Sequence, residues 1–165
     1  MNTRFAKRVF LVAAIYGIVA VFPQYFMEAK LGIDFPPPLN HPEHFYGFLG
    51  IALAWQFAFL LIAKDVVRYR LFMLPAAFEK LSFGVAVLVL YAQGRVVALA
   101  AGAAVIDLVF ALFFLLAFRA TRGEALRLQN AAHFANALDV RPTVNGDVPA
   151  PTLEEVNRIV HEVRP

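Results

Sequence analysis

The chain has 165 residues, 61% of them hydrophobic and only 16% charged, with 17 Phe and a formal net charge of +3. Soluble domains carry about a quarter charged residues, and so short a chain has too little interior to hide this much apolar side chain, which excludes a water-soluble globular fold. The absence of Cys removes disulfides, thiolate metal sites and thiol nucleophiles, and the small positive charge offers no nucleic-acid-binding patch.

A hydrocarbon core of ~30 Å needs roughly 20 apolar residues of helix. Four segments meet that requirement. Residues 9–27 and 45–63 carry no charge, residues 71–93 contain Glu79 and Lys80, and residues 96–118 contain Asp107. The fold class expected is all-α: an integral membrane four-helix bundle, followed over 119–165 by a tail with two short helices. Arg4, Lys7 and Arg8 precede the first span, Lys64, Arg68 and Arg70 follow the second, and Arg119, Arg122 and Arg127 follow the fourth. Lys30 and Arg95 stand alone at the other side, so the positive-inside rule predicts both termini in the cytoplasm. The first span has the basic start of a secretory signal. It lacks the small-residue cleavage site, since bulky Phe22-Pro23-Gln24-Tyr25-Phe26-Met27 follows Val21, and is read as a retained helix.

Between the first two spans, Glu28 to His44 forms the one sizeable external loop, stiffened into polyproline-II geometry by Pro36-Pro37-Pro38. Tyr25, Phe26, Phe45 and Tyr46 flank it as an interfacial aromatic belt. His41 and His44 are weak metal-ligand candidates there, without an evident further ligand, and no metal or cofactor is expected. The third and fourth spans are joined only by Gln93-Gly94-Arg95, which makes them an antiparallel hairpin. In the fourth span Ala98 and Gly102, and Ala100 and Ala104, give two small-xxx-small spacings suited to close packing. In the tail, Glu124–Leu138 has an apolar face of Leu128, Ala131, Ala135 and Leu138 that suits a membrane surface or the cytoplasmic loops. Arg141–Pro151 reads as a linker, and Thr152-Leu153-Glu154-Glu155 as a capping box opening a last helix to about Val163.

The exceptions to the apolar pattern are the informative residues. An Asp or Lys at the centre of a span costs about +2.5 to +3.5 kcal/mol on insertion scales. The 11 Leu, Ile, Val and Phe of the third span contribute roughly −3 to −7 kcal/mol. Glu79 and Lys80 therefore cancel much of that, and the span needs partners. At ~1.5 Å per residue, Glu79 and Lys80 lie roughly 12–14 Å below the cytoplasmic boundary, Asp107 roughly 17 Å, and Gln56 and Tyr16 roughly 10 Å. Every span thus contributes a polar group to one layer. Adjacent helical residues diverge by about 100°, so Glu79 and Lys80 are each expected to find their own partner: Lys80 with Asp107, and Glu79 near Gln56, Tyr16 or Arg68 and Arg70. Such a layer either fixes helix register and partner choice or forms a ligand or proton site, because intramembrane carboxylates are functional candidates by default. Lys80 has a third option, snorkelling outward. Trp55 reads as a packing residue. No His lies in a span, which removes a bis-His haem, and no Walker loop, GxSxG or HExxH is present.

Trp55-Gln56, Ala63-Lys64-Asp65-Val66-Val67-Arg68-Tyr69-Arg70 and Phe78-Glu79-Lys80 together resemble small, uncharacterised four-span bacterial inner-membrane proteins. The general shape, four helices with a short last hairpin, is also similar to the DoxX-like group. The resemblance covers about residues 5–120, implies a bacterial inner membrane, and brings no catalytic residue with it. Three functions follow in order: binding of a small hydrophobic molecule or lipid, with an accessory redox or transport role; a structural or assembly subunit of a membrane complex; and an enzyme acting on a lipid-like substrate with Glu79 or Asp107 as acid or base. The partners expected are the bilayer, a hydrophobic small molecule or another membrane subunit, and no nucleic acid.

Overall fold

A computed structural model describes residues 3–35 and 39–139, with side chains as far as Phe134. The triple proline at 36–38, the linker over 141–151 and the capping box with its helix lie outside the described residues. The chain divides into two compact units, Met1–Asn130 and Ala131–Pro165. The long helices belong to the first.

Those helices are α1 (Thr3–Val21), α3 (Pro42–Lys64), α4 (Met73–Ala92) and α5 (Ala98–Ala120), with a short α2 (Glu28–Asp34) between the first two and α6 (Arg122–Asp139) after the last. Four helices are long and apolar enough to cross a membrane, so the fold is all-α and the chain is an integral membrane protein. The apolar residues outside the interior, such as Val12, Val19, Phe57 and Leu112, then face hydrocarbon rather than water. Their burial is supplied by lipid, which leaves packing and polar pairing to hold the helices together.

The helix ends follow from local chemistry. The uncharged run of the first span continues to Met27, but helical geometry tightens to 3-10 over Phe22–Phe26, where Pro23 has no N–H to continue the α ladder. Gln24 Nε2 donates to the freed Ala20 carbonyl at 2.9 Å. Pro42 opens α3 from its first turn. Asp65 ends it, its Oδ1 accepting the N–H groups of Val67 (3.2 Å) and Arg68 (3.0 Å) in a side-chain-closed turn. At the α4–α5 hairpin Gly94 takes φ +70°. The Gly94 N–H reaches the Tyr91 carbonyl and the Arg95 N–H the Leu90 carbonyl, both at 2.9 Å, the Schellman closure that favours glycine at this position. Where a loop with extended prolines was expected, Glu28–Asp34 is helical, held by Lys30–Asp34 at 2.8 Å and by Tyr46 Oη donating to Glu28 Oε2 at 2.7 Å.

α4 and α5 share the most extensive packing, α1 packs on both α3 and α5, and α3 and α4 scarcely touch. The bundle is thus a row, α4–α5–α1–α3, whose ends approach without sealing. Of the two spacings the sequence suggested, the tight α4–α5 contact uses Ala104 of the second. Gly102 faces open space, and the buried seam of α5 is Ala101, Ala104, Asp107, Ala111, Phe114 and Ala117. Opposite it Gly84 lies under Leu108, where a Cβ would also come within 3.1 Å of the Ala104 carbonyl oxygen. A small-residue spacing identifies a helix able to approach closely, but helix rotation decides which of two such faces is used.

The hydrophobic core occupies one end of the bundle. Phe10, Phe59 and Phe114 are fully buried; Phe10 stacks on Phe114 with centroids 4.2 Å apart, and Phe59 meets them edge-on at 6.0 and 5.0 Å. Ala6, Ala13, Ile62, Met73, Ala76 and Ala117 fill in around the rings. Arg70 closes this end, its Nε and Nη2 donating to the Phe118 carbonyl at 3.2 and 3.0 Å while the guanidinium lies 3.6 Å over the Phe118 ring. That arrangement satisfies a C-terminal carbonyl of α5 with a cation, as the helix dipole favours.

Candidate functional site

Above the phenylalanine cluster the bundle is hollow. A cavity of about 730 Å³ runs from Tyr16, Gln56, Glu79, Lys80 and Asp107 past Ala20, Ala52, Phe83, Ala100 and Ala103 to Leu31, Asp34, Phe35 and Arg95. Val97 at the head of α5 and Leu99, Ala100, Ala103 and Asp107 within it line the cavity, and the rise from 97 to 107 makes it ~15 Å deep. The first group forms its floor, the second its largely apolar wall, and the third its mouth, where α2 stands over the opening.

The floor places the five candidate residues around one space. Lys80, on α4, is 3.2 Å from Asp107 Oδ1 and 3.4 Å from Oδ2 on α5, so the ion pair bridges the most closely packed helices. Lys80 is buried and does not snorkel. Its ammonium also lies 3.5 Å from Glu79 Oε2. This corrects the expectation of separate partners. The Cβ directions of neighbouring residues do diverge, but the long Lys and Glu stems converge at their tips, and one ammonium serves two carboxylates. Beneath it, 5.6 Å away, lies the Phe59 ring, so Lys80 marks the boundary between plug and cavity. Arg70 is engaged with Phe118 at the far end, which removes it as a partner of Glu79.

Gln56 is 1% exposed. Its Nε2 donates to the Ala52 carbonyl at 2.9 Å, which directs Oε1 toward α1. There Gly17 makes room, because a Cβ at that position would collide with the Gln56 amide. Among the described residues, Gln56 Oε1 and Glu79 Oε2 are the buried side-chain polar atoms without a hydrogen-bond partner. Tyr16 is the outermost of the five, partly exposed, with its ring 5.6 Å from that of Phe110.

Three groups at the site were not evident from the sequence. Gly17 and Ala20 of α1, Ala52 of α3, and Ala100 and Ala103 of α5 provide its volume by being small. Phe48 and Phe83 face each other across the α3–α4 gap with centroids 5.9 Å apart. Between these two helices a second recess of about 320 Å³, lined by Phe48, Ile51, Ala52, Glu79, Ser82 and Phe83, reaches the same carboxyl from the side. The i, i+4 pair Ala52-Gln56 and the run Ala13, Gly17, Ala20 were the available signal, a polar side chain on a face otherwise made of small residues. Elsewhere, His41, Glu43 and His44 bring their ligand atoms within 4.8 Å of one another on the exposed start of α3, with His41 Nδ1 3.1 Å from Glu43 Oε1. Glu43 thus adds a third donor to the two histidines, but all three are solvent-exposed.

Compared with models of protein families, with curated proteins and with solved structures, the chain matches none, so what it does has to be argued from this cavity alone.

Proposed function

We propose that the chain holds a small amphipathic or lipid-like molecule in the hollow half of the bundle, with the apolar body between Ala20, Ala52 and Ala100 and the polar end on Gln56, Glu79, Lys80 and Asp107. The observation that carries this reading is the cavity itself: about 730 Å³, within the ~300–1,000 Å³ of ligand sites, apolar-walled and ending on a few converging polar groups. The stacked Phe10, Phe59 and Phe114 stop it at one end. A blind shaft suits retention rather than conduction, and within an accessory redox or transport role it suits the subunit that presents a ligand. The side recess at Glu79 gives such a molecule a route from the bilayer. In this reading the end bearing Lys64, Arg70 and Arg119 faces the cytoplasm of a bacterial inner membrane, and the mouth opens on the opposite side. Because the chain has no Cys, a single cysteine introduced at the exposed Gln93 reports that orientation by reacting with an impermeant thiol reagent added outside intact cells.

A structural role for the Lys80–Asp107 pair coexists with this reading, since the pair ties α4 to α5. Catalysis by Glu79 or Asp107 ranks lower because both share one ammonium, which leaves neither carboxyl poised as a lone acid or base. Native mass spectrometry of the purified protein tests the proposal. The wild-type chain should carry an adduct of a few hundred daltons, and Ala100→Phe, which fills the shaft, should lose it while accumulating normally. Identical adducts on both proteins, or none on either, overturn it.

A further inference from the structure

The floor of the cavity is unevenly supplied with hydrogen-bonding groups, and that imbalance specifies the head group. Among the described residues the two buried side-chain atoms without a hydrogen bond, Gln56 Oε1 and Glu79 Oε2, are both oxygens, and Glu79 Oε2 has only the ammonium contact at 3.5 Å. Gln56 cannot correct this by turning its amide over, because Nε2 would then leave the Ala52 carbonyl and two oxygens would face each other. Lys80 has little left to donate: Asp107 takes its ammonium at 3.2 and 3.4 Å, Glu79 lies at 3.5 Å and the Phe59 ring occupies the side below. The charge count points the same way. Two carboxylates face one ammonium on the floor, while at the mouth Asp34 is paired with Lys30 at 2.8 Å and Arg95 stands a shaft's length from the floor. A buried unpaired acceptor costs about 1–3 kcal/mol until a donor reaches it, and like charge at short range is penalised strongly where water is scarce.

We infer that the ligand presents a hydrogen-bond donor to the floor, a hydroxyl or an amine on an apolar chain or ring, and that Gln56 and Glu79 select it against an anionic head such as a carboxylate. The inference rests on the cavity being a binding site. In the complex the donor engages one of these two oxygens, and the apolar body lies along Ala20, Ala100 and Phe83. An amine gains additionally from the excess negative charge. Gln56 and Glu79 are specificity-determining groups, whereas Lys80 acts by holding the carboxylates in place.

Three soluble eight-carbon probes with different heads test it: 1-octanol, octylamine and octanoate. Each is titrated at neutral pH into the full-length protein in a non-ionic detergent and read by native mass spectrometry, with Ala100→Phe as the background for nonspecific adducts. The alcohol and the amine should bind at least tenfold more tightly than octanoate. Gln56→Leu should weaken both by about tenfold without changing octanoate, and Glu79→Gln should lower the amine relative to the alcohol. Octanoate binding as tightly as the other two, with all three lost in Ala100→Phe, overturns the head-group assignment and leaves the cavity reading standing, as it would if ordered water satisfied the two oxygens. No binding of any probe above the Ala100→Phe background overturns both. If Gln56→Leu does not fold, the three-probe comparison on the wild-type protein still decides.

Discussion

The two halves of the bundle are built from the same four helices and similar residues, yet one is solid and the other hollow. Below Lys80 the interior is filled by three phenylalanines in contact, one from each of α1, α3 and α5, with alanine and methionine packed around them. Above it the facing positions are Gly17, Ala20, Ala52, Ala100 and Ala103, and the Phe48–Phe83 pair spans only the α3–α4 side. In a bilayer this contrast matters more than in water. Lipid is as apolar as the interior, so an apolar side chain gains little merely by facing inward. What holds the helices together is contact, and contact is concentrated in one half. The hollow half is therefore held by the close α4–α5 approach at Gly84 and Ala104 and by what flanks it: the plug below, the Lys80 ion pairs at the boundary and the Gly94 hairpin above.

The largest expected effect tests the boundary. Lys80→Met leaves Glu79 and Asp107 facing each other without a counter-charge and should cost about 3–5 kcal/mol, the usual penalty for removing one partner of a buried pair. Replacing all three groups together, Glu79→Gln, Lys80→Met and Asp107→Leu, should restore most of that loss, because a layer without charge needs no counter-charge. Unfolding by titration with a denaturing detergent measures both; a triple variant no more stable than Lys80→Met would break the comparison. Next comes the plug. Phe114→Ala should cost about 3 kcal/mol, the low end for such a truncation because packing is lost but little transfer from water. Phe83→Ala in the hollow half loses essentially one ring pair and should cost about 1 kcal/mol. Equal losses would mean that both halves are held alike.

The architecture was legible because it is governed by composition and charge. Four apolar runs of bilayer length, and the polar residue in each, can be counted. The depth of the layer was legible too, since helical rise is constant and Gln56, Lys80 and Asp107 fall at similar distances along their helices. Rotation about each helix axis was not legible. It decides that Ala104 rather than Gly102 lies against Gly84 of α4, and that Ala100 faces a void. Nor can a sequence show a cavity as such, because small residues permit both close approach and empty space. At Gly84 they give the first, and at Ala20 and Ala100 the second. Side-chain reach was the other omission: Lys80 meets Glu79 through flexible stems that a helical wheel does not represent.

One pair of like substitutions sharpens the contrast at intermediate magnitude. Ala76, fully buried beside the plug, has no space to receive a larger side chain, and Ala76→Phe should destabilise by about 3 kcal/mol, the upper part of the overpacking range. Ala100→Phe places the same ring into the cavity and should be neutral in stability within about 0.5 kcal/mol while abolishing ligand retention. The same denaturation curves, read beside adduct occupancy, separate the two sites.

A small stability effect is also expected at Gly17, which lies where the halves meet. A Cβ there collides with the Gln56 amide, and in a solid core such a clash costs about 1–3 kcal/mol. The amide, however, is the far end of a flexible side chain beside open volume and can swing into the cavity. Alanine in place of a mid-helix glycine also returns about 0.5–1 kcal/mol of helix stability, so Gly17→Ala should change unfolding by less than about 1 kcal/mol. Its effect on binding should be disproportionate. To make way, Gln56 gives up its bond to the Ala52 carbonyl and moves its amide across the floor, so both the space and the orientation of the acceptor are lost. A Gly17→Ala protein that unfolds like wild type but no longer retains 1-octanol would show that the boundary is tuned for the ligand. One that loses stability as Ala76→Phe does would show that the plug extends upward to Gly17 and that the hollow half begins one turn higher.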